Sequence, residues 1–284
     1  MATTRPNLQE ADIEGLACAD GYLWLVDSHS LKRKNPKLKD GADKARKLLA
    51  KVRSDGNRYL LARIPLVEGD GTCELAKRTR QNGPELFAAR LKGDDKGDEL
   101  TEALQHDLHL GPFLGIPGKD NGFDIEGLAV AGKRIFLGLR GPMLRGWAVI
   151  LEVAVAADAT ACILRLQPIG PQGCLYRKHF LQLGGLGIRD LCDLLILAGL
   201  TMELDGPIRV FRWPGGCAPA DEAVVPADAL QRVLEVPYGE GMALFSPDGD
   251  LPNSLLVVYD AAADDRKSGK SAVTVDILEL PPLR

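Results

Sequence analysis

Asp12-Ile13-Glu14-Gly15-Leu16-Ala17 and Asp124-Ile125-Glu126-Gly127-Leu128-Ala129 are the same six residues, DIEGLA, written twice in one chain of 284 residues. Each copy runs into an apolar segment, GYLWLVD after the first and KRIFLGL after the second. Self-similarity of this kind is the mark of repeated sheet units. The repeated residues include two carboxylates, so the same pattern that decides the fold also nominates a site.

Two weaker copies follow when Ile13 and Leu16 serve as anchors. Gly187-Ile188-Arg189-Asp190-Leu191 keeps both anchors, and Gly239-Glu240-Gly241-Met242-Ala243 keeps the Glu-Gly pair. The glutamate position then reads Glu14, Glu126, Arg189, Glu240. The later copies recur roughly every 50 to 60 residues, close to one propeller blade, while the interval between the first two is oversized.

Each copy precedes further short runs rich in β-branched or aromatic residues: RYLLARIPL, WAVILEVAV, DLLILAGLTM with PIRVFRW, and SLLVVYD with AVTVDILEL. Gly, Pro, Asn or Asp bound them, as they bound strands. Inside the oversized interval, DGADKARKLLAKV and PELFAARLKGDDKGDELTEALQHDLHL carry the composition and i, i+3, i+4 apolar spacing of amphipathic helices. The expectation is an all-β chain: a single β-propeller domain over residues 1–284, of about five blades with four to six admissible, and short helical insertions within residues 39–110. The last unit shows three strands, so the residues before Asp12 are expected to complete or abut it.

Composition fits a folded body. The 45% hydrophobic content, 31 Gly and 18 Pro suit many strands and turns, and a net charge of −4 supplies no overall attraction to nucleic acid or anionic membrane. The longest apolar stretch is broken by Glu152 and Asp158, so no span of a membrane is expected. The start of the chain carries no secretory h-region. The six cysteines form no CxxC pair, which predicts reduced core thiols and a cytoplasmic setting.

DIEGLA, SHS, the run NGFDIEGLAVAGKRIFLGLRGPMLRGWAVILEV, and LGGLGIRDL followed by LLILAG and a strand ending in RW together resemble the bacterial proteins grouped as domain of unknown function 3616. The resemblance covers Asp12 to about Trp213. That family looks similar to phytase-like esterase and SdiA-regulated propellers, whose units also carry Asp-x-Glu-Gly turns. The resemblance implies a propeller, with hydrolase chemistry or ligand recognition at its loop-rich face. The chain departs from the pattern in starting eleven residues before its first motif, which leaves little room for a preceding blade.

In a propeller the innermost strands start beside the central channel, and Asp12 and Glu14 alternate with Ile13, so both carboxylates share one side. Copies from successive blades bring Glu14, Glu126 and Glu240 together, with Arg189 and Asp190 as a fourth, internally compensated contribution. Clustered carboxylates raise one another's pKa unless a counter-charge is present. Ca²⁺ or another divalent cation held by Asp12, Glu14, Asp124, Glu126 and Glu240 would supply it. Arg189 could supply it instead, or the carboxylates could simply bond backbone amides.

Arg140 and Arg145 lie in a Gly/Pro-framed loop, GLRGPMLRG, suited to holding guanidinium forks toward phosphate or carboxylate. Further basic loops run Ser28 to Lys34 and Asp264 to Lys270. His29 is the general-base candidate; His106 and His109 read as surface residues and His179 as structural. There is no P-loop, HExxH or GxSxG. Two functions follow. One is a cation-assisted hydrolase of a phosphoester or other anionic ester, with His29, Glu14 and Glu126 at its centre. The other is a scaffold that binds a small anionic ligand or a protein without chemistry.

Overall fold

The apolar runs pair in register into four consecutive antiparallel sheets. The computed structural model describes residues 11–69, 71–80, 83–193, 195–202, 206–236, 238–246, 253–259, 264–269 and 271–282. The expected role of the residues before Asp12 lies almost wholly outside them.

Only strands on the main paths through the four sheets and the edges they share are numbered; Thr72–Leu75, which pairs with Leu61–Gly69, is not. Sheet one is β1 (Ile13–Ala19), β2 (Tyr22–Asp27), β3 (Leu61–Gly69) and β4 (Ala89–Leu91). Sheet two is β5 (Asp124–Ala131), β6 (Arg134–Gly141) and β7 (Ala148–Val153). The chain then leaves as a hairpin, β8 (Val155–Asp158) and β9 (Ile163–Leu166), and returns as β10 (Tyr176–Leu181) on the edge of β7. Sheet three is β11 (Gly187–Cys192), β12 (Leu195–Gly199) and β13 (Arg209–Arg212); after the short β14 (Val224–Val225) it gains β15 (Gln231–Glu235). Sheet four is β16 (Gly241–Phe245), β17 (Ser254–Val258) and β18 (Asp276–Glu279).

Neighbouring sheets share edges. Strand β9 pairs in parallel with β4, Ile163 opposite Arg90, and β14 pairs in parallel with β10, Phe180 opposite Val224. Each loan covers an edge whose unpaired amides and carbonyls would otherwise template association.

The first strands lie side by side in the order β1, β5, β11, β16. Three apolar layers separate the sheets. Trp24, Val26 and Leu61 meet Ile125, Leu128 and Leu137; Ala129, Phe136 and Ile150 meet Ile188, Leu191 and Ile196; Leu197 and Val210 meet Met242, Leu255 and Val257. Sheets two and three are covered on both faces, which is why β5, β6 and β7 read as near-continuous apolar runs. Burying each large aliphatic side chain contributes about 1.5–3 kcal/mol.

Glycine sets the closeness of these layers. A Cβ on Gly15 would stand 2.9 Å from Leu128 Cβ, and one on Gly127 would stand 2.9 Å from Leu191 Cγ. The glycine of the DIEGLA motif is therefore a slot for the leucine of the next copy.

Two helices interrupt the strands, α1 (Ala42–Ala50) and α2 (Glu99–Leu104). The second predicted helical run is mostly not helix, since Leu86–Phe87 and Ala89–Leu91 are strand. Gly93 and Gly97 interrupt its pattern, and α2 begins only at Asp98, whose side chain accepts from Thr101 N while Thr101 Oγ1 accepts from Asp98 N. The cysteines are free, as expected of thiols, but Cys18 and Cys73 are exposed and the other four only half-buried, so they are not core residues. Among the described residues no helix is long and apolar enough to cross a membrane.

Gly127→Ala should destabilise the protein by about 1–3 kcal/mol, because the added methyl overpacks against Leu191. Chemical denaturation measures this, and an unchanged midpoint would contradict the slot.

Candidate functional site

The repeated glutamate is the residue that leaves the ladder. On β1, Ile13 pairs with Asp27 and Gly15 with Val26, which leaves Glu14 unpaired; on β5, Ile125 pairs with Leu139 and Gly127 with Gly138, leaving Glu126. On β11, Ile188 pairs with Ala198 and Asp190 with Leu197, leaving Arg189. A bulge of this kind twists the strand and re-aims the extra side chain. Arg140 is also a bulged residue, skipped between Leu139 and Gly141 on β6. Two opposed bulges therefore send Glu126 and Arg140 toward each other.

Ion pairs gather the bulged residues into two neighbouring sets along one seam. Arg140 Nη1 bonds Glu126 Oε1, and its Nε lies 3.6 Å from Asp124 Oδ2. Arg189 Nη1 sits 3.6 Å from Glu126 Oε2 and 2.8 Å from Glu240 Oε2, and its Nη2 donates to Leu200 O. At the other end Arg58 reaches Asp12 Oδ2 at 3.0 Å and Glu14 Oε1 at 3.9 Å. Asp12 and Glu14 thus share one ion-paired set with Arg58, and Asp124, Glu126, Arg140, Arg189 and Glu240 form a second, close enough that the charges of Glu126 and Asp124 act on Glu14.

A cleft of about 490 Å³ opens over the sheet-one end of the seam. Its wall includes Asp12, Glu14, Ser30, Arg58, Asp124 and Arg140, together with Lys32, Arg33, Lys34, Lys119 and Asp120. Arg58 donates to Ser30 Oγ at 2.5 Å and to Ser30 O at 3.2 Å, and Arg33 Nε pairs with Asp120 at 2.6 Å. Leu49 of α1 adds an apolar edge. Counted by residue, six cationic side chains face four carboxylates.

Burial and mutual repulsion raise several of these acids above their ordinary values. Burial, then the charges of Glu126, Asp124 and Asp12, push Glu14 up to about 8. Burial raises Glu126 to about 7 despite Arg140 and Arg189, and it also raises Asp124. Asp12 goes the other way: burial pulls it upward, but the Arg58 hydrogen bond and the charges of Arg58 and Lys32 hold it below the ordinary value. Two neighbouring carboxyls of one cleft therefore differ in protonation at neutral pH.

Asp190 lies apart from the cleft wall. Its Oδ1 accepts from Leu191 N and its Oδ2 from Met242 N, both at 2.8 Å, so it ties sheet three to sheet four, and burial pushes it up to about 7. Arg145 is exposed on its turn and does not line the cleft. His29 is buried, with Nδ1 on Asp27 O at 2.8 Å and Nε2 on Asp98 Oδ2 at 2.7 Å. Its backbone is left-handed (φ 54°), which turns the ring inward. Because a carbonyl and a carboxylate both only accept, both ring nitrogens must donate. Both are therefore committed to internal partners, and His29 as placed is a buried imidazolium strut between sheet one and α2, in place of the expected general base. His179 is structural, bonding Glu152 at 3.0 Å and accepting from Ala223 N.

Among the described residues no three His, Cys, Asp or Glu side chains converge as a metal-ligand set. Asp12, Glu126 and Glu240, expected as cation ligands, take their counter-charge from arginines. Arg58, Asp27 and Asp98 were not among the residues expected at the site. Arg58 gives no signal, being an isolated arginine before a strand, whereas Asp98-x-x-Thr101 is a readable capping pattern.

The chain matches, over residues 2–276, the family described as protein of unknown function (DUF3616). It belongs to that family. No curated protein and no solved structure matches it.

Arg140→Ala should destabilise the fold by about 3–5 kcal/mol at alkaline pH, since Asp124 and Glu126 lose a buried counter-charge. At lower pH those acids take up protons and the loss shrinks. Arg145→Ala should leave the melting temperature unchanged, and equal losses in the two variants would contradict the assignment.

The His29–Asp98 pair gives a second test. Burial alone would lower His29, but Asp98 raises it above 6.5, and Asp98 is held below 3.8 by His29 despite its own burial. The histidine's contribution to stability is full below pH 6.5 and is lost as pH rises through its raised folded value. The aspartate's is full above 3.8 and is lost as pH falls through its lowered one. A melting-temperature profile should thus lose much of its decline above neutral pH in Asp98→Asn; an unaltered profile would refute the pair.

Proposed function

We propose that this chain is a propeller-type body that binds a small anionic ligand, a phosphate ester or polycarboxylate, in the cleft above Glu14. The observation that carries the reading is the composition of that cleft: six cationic side chains against four carboxylates, one of which, Glu14, is neutral at pH 7. Lys32, Arg33 and Lys34 form the rim. Arg58 and Arg140, pinned by Ser30 and Glu126, supply fixed positive charge at the floor. Fixed guanidinium groups lose little freedom on binding an anion. Four sheets with adjoining first strands, each opening on the same motif, support propeller-type blades set side by side, and this blade arrangement is part of the proposal.

A second reading is supported by the split protonation. Neutral Glu14 could donate a proton to a leaving oxygen while ionised Asp12 accepts one from water, the division of labour that environment imposes on paired carboxyls in hydrolases. A divalent cation would serve this chemistry by polarising the ester, if the carboxylates exchanged their arginines for it.

Isothermal titration with inorganic phosphate and with a sugar phosphate separates the readings. Binding should weaken in Lys32→Ala/Lys34→Ala and should also weaken as pH rises through about 8, when Glu14 ionises. Ligand at about one hundred times its Kd should stabilise the fold by about 2.7 kcal/mol. Ester cleavage lost in Glu14→Gln, with ligand binding retained, would favour the hydrolase. No binding of any anion, with or without Ca²⁺, would overturn the anion site.

A further inference from the structure

Two of the three junctions between sheets share one packing contact, and the third replaces it with a hydrogen bond at the same position. The residue after the bulge on one first strand receives the next residue of the following copy: Gly15 receives Leu128, Gly127 receives Leu191, and Asp190 bonds the amide of Met242. The received residues are buried, with 0% exposure for Leu128, 6% for Leu191 and 8% for Met242.

Among the described residues one knob and one slot are without such a counterpart. Leu16, the equivalent residue of the first copy, is 55% exposed, and Ile13 beside it is 48% exposed, where its equivalents Ile125 and Ile188 are fully buried. At the other end Gly241 repeats Gly15 and Gly127, yet the atoms nearest to a Cβ built there belong to Val258 and Asp190. Val258 and Ile277, on the same face of sheet four as Gly241, are 41% and 49% exposed. The first sheet thus presents a face that elsewhere packs against a preceding sheet, and the fourth presents one that elsewhere packs against a following sheet.

We propose that these faces are an interaction surface for a second copy of this chain, Leu16 of one copy seating over Gly241 of the next. The occupant follows from complementarity: at two internal junctions a leucine of one motif copy fills the glycine slot of the copy before it, and the end faces carry the same leucine and the same glycine without each other. Within one chain Leu16 and Gly241 do not meet. The contact is head-to-tail, so it joins copies into a closed ring or an open chain and not an isologous pair.

Light scattering over a range of concentrations, combined with cysteine cross-linking, tests this. The full chain should associate as concentration rises, and both Leu16→Glu and Ile277→Lys should hold it at monomer mass with an unchanged circular dichroism spectrum. A mixture of Leu16→Cys and Gly241→Cys chains should yield an oxidised dimer that neither yields alone. Either of two results overturns the proposal: a wild-type chain that stays monomeric throughout, or a doubly substituted chain that cross-links within itself, which would mean that the ring closes inside one molecule.

Discussion

Arg189 is the residue on which the seam depends. It stands where the other copies of the motif carry glutamate, and its guanidinium lies between Glu126 on one side and Glu240 on the other. A glutamate there would put three carboxylates on adjoining strands with no cation between them, at a cost that burial increases. One sign reversal turns a repeated carboxylate into an alternating row across the starts of β5, β11 and β16.

The same economy of charge reaches the cleft with a different result. At the sheet-one end Arg58 and Arg140 do not fully offset Asp12, Glu14, Asp124 and Glu126, so environment raises Glu14, Asp124 and Glu126 while it holds Asp12 below its ordinary value. The lysines and arginine of the 32–34 segment then face a floor less negative than its composition suggests. Anion binding and acid–base chemistry both grow from this arrangement, and both act through residues that also hold the sheets together.

Much of this was legible in the sequence. The twice-written hexapeptide, read with its two degenerate copies, located the first strands of all four sheets and the residues that line the seam. Its glycine was readable as a tight spot but not as a slot for the next leucine, since that relation exists only between sheets. The bulges were not legible either: alternation placed Glu14 on one side of a regular strand, while the ladder in fact skips it. His29 looked available because a histidine between two serines carries no sign of burial, and its partner Asp98 lies far along the chain. The long run before Leu110 read as helix on composition, because pairing of Ala89–Leu91 with β3 and β9 is a tertiary fact that local propensity does not contain.

Glu14 and Glu126, the glutamates of the two full motifs, share one electrostatically coupled site. Carbon-13 NMR titration of the side-chain carboxyls in wild type and in Asp124→Asn tests it most directly. Glu14 should titrate near 8 and Glu126 near 7, and both should move downward when the Asp124 charge is removed. Ordinary values near 4.5 for both glutamates, unchanged by the substitution, would contradict the account.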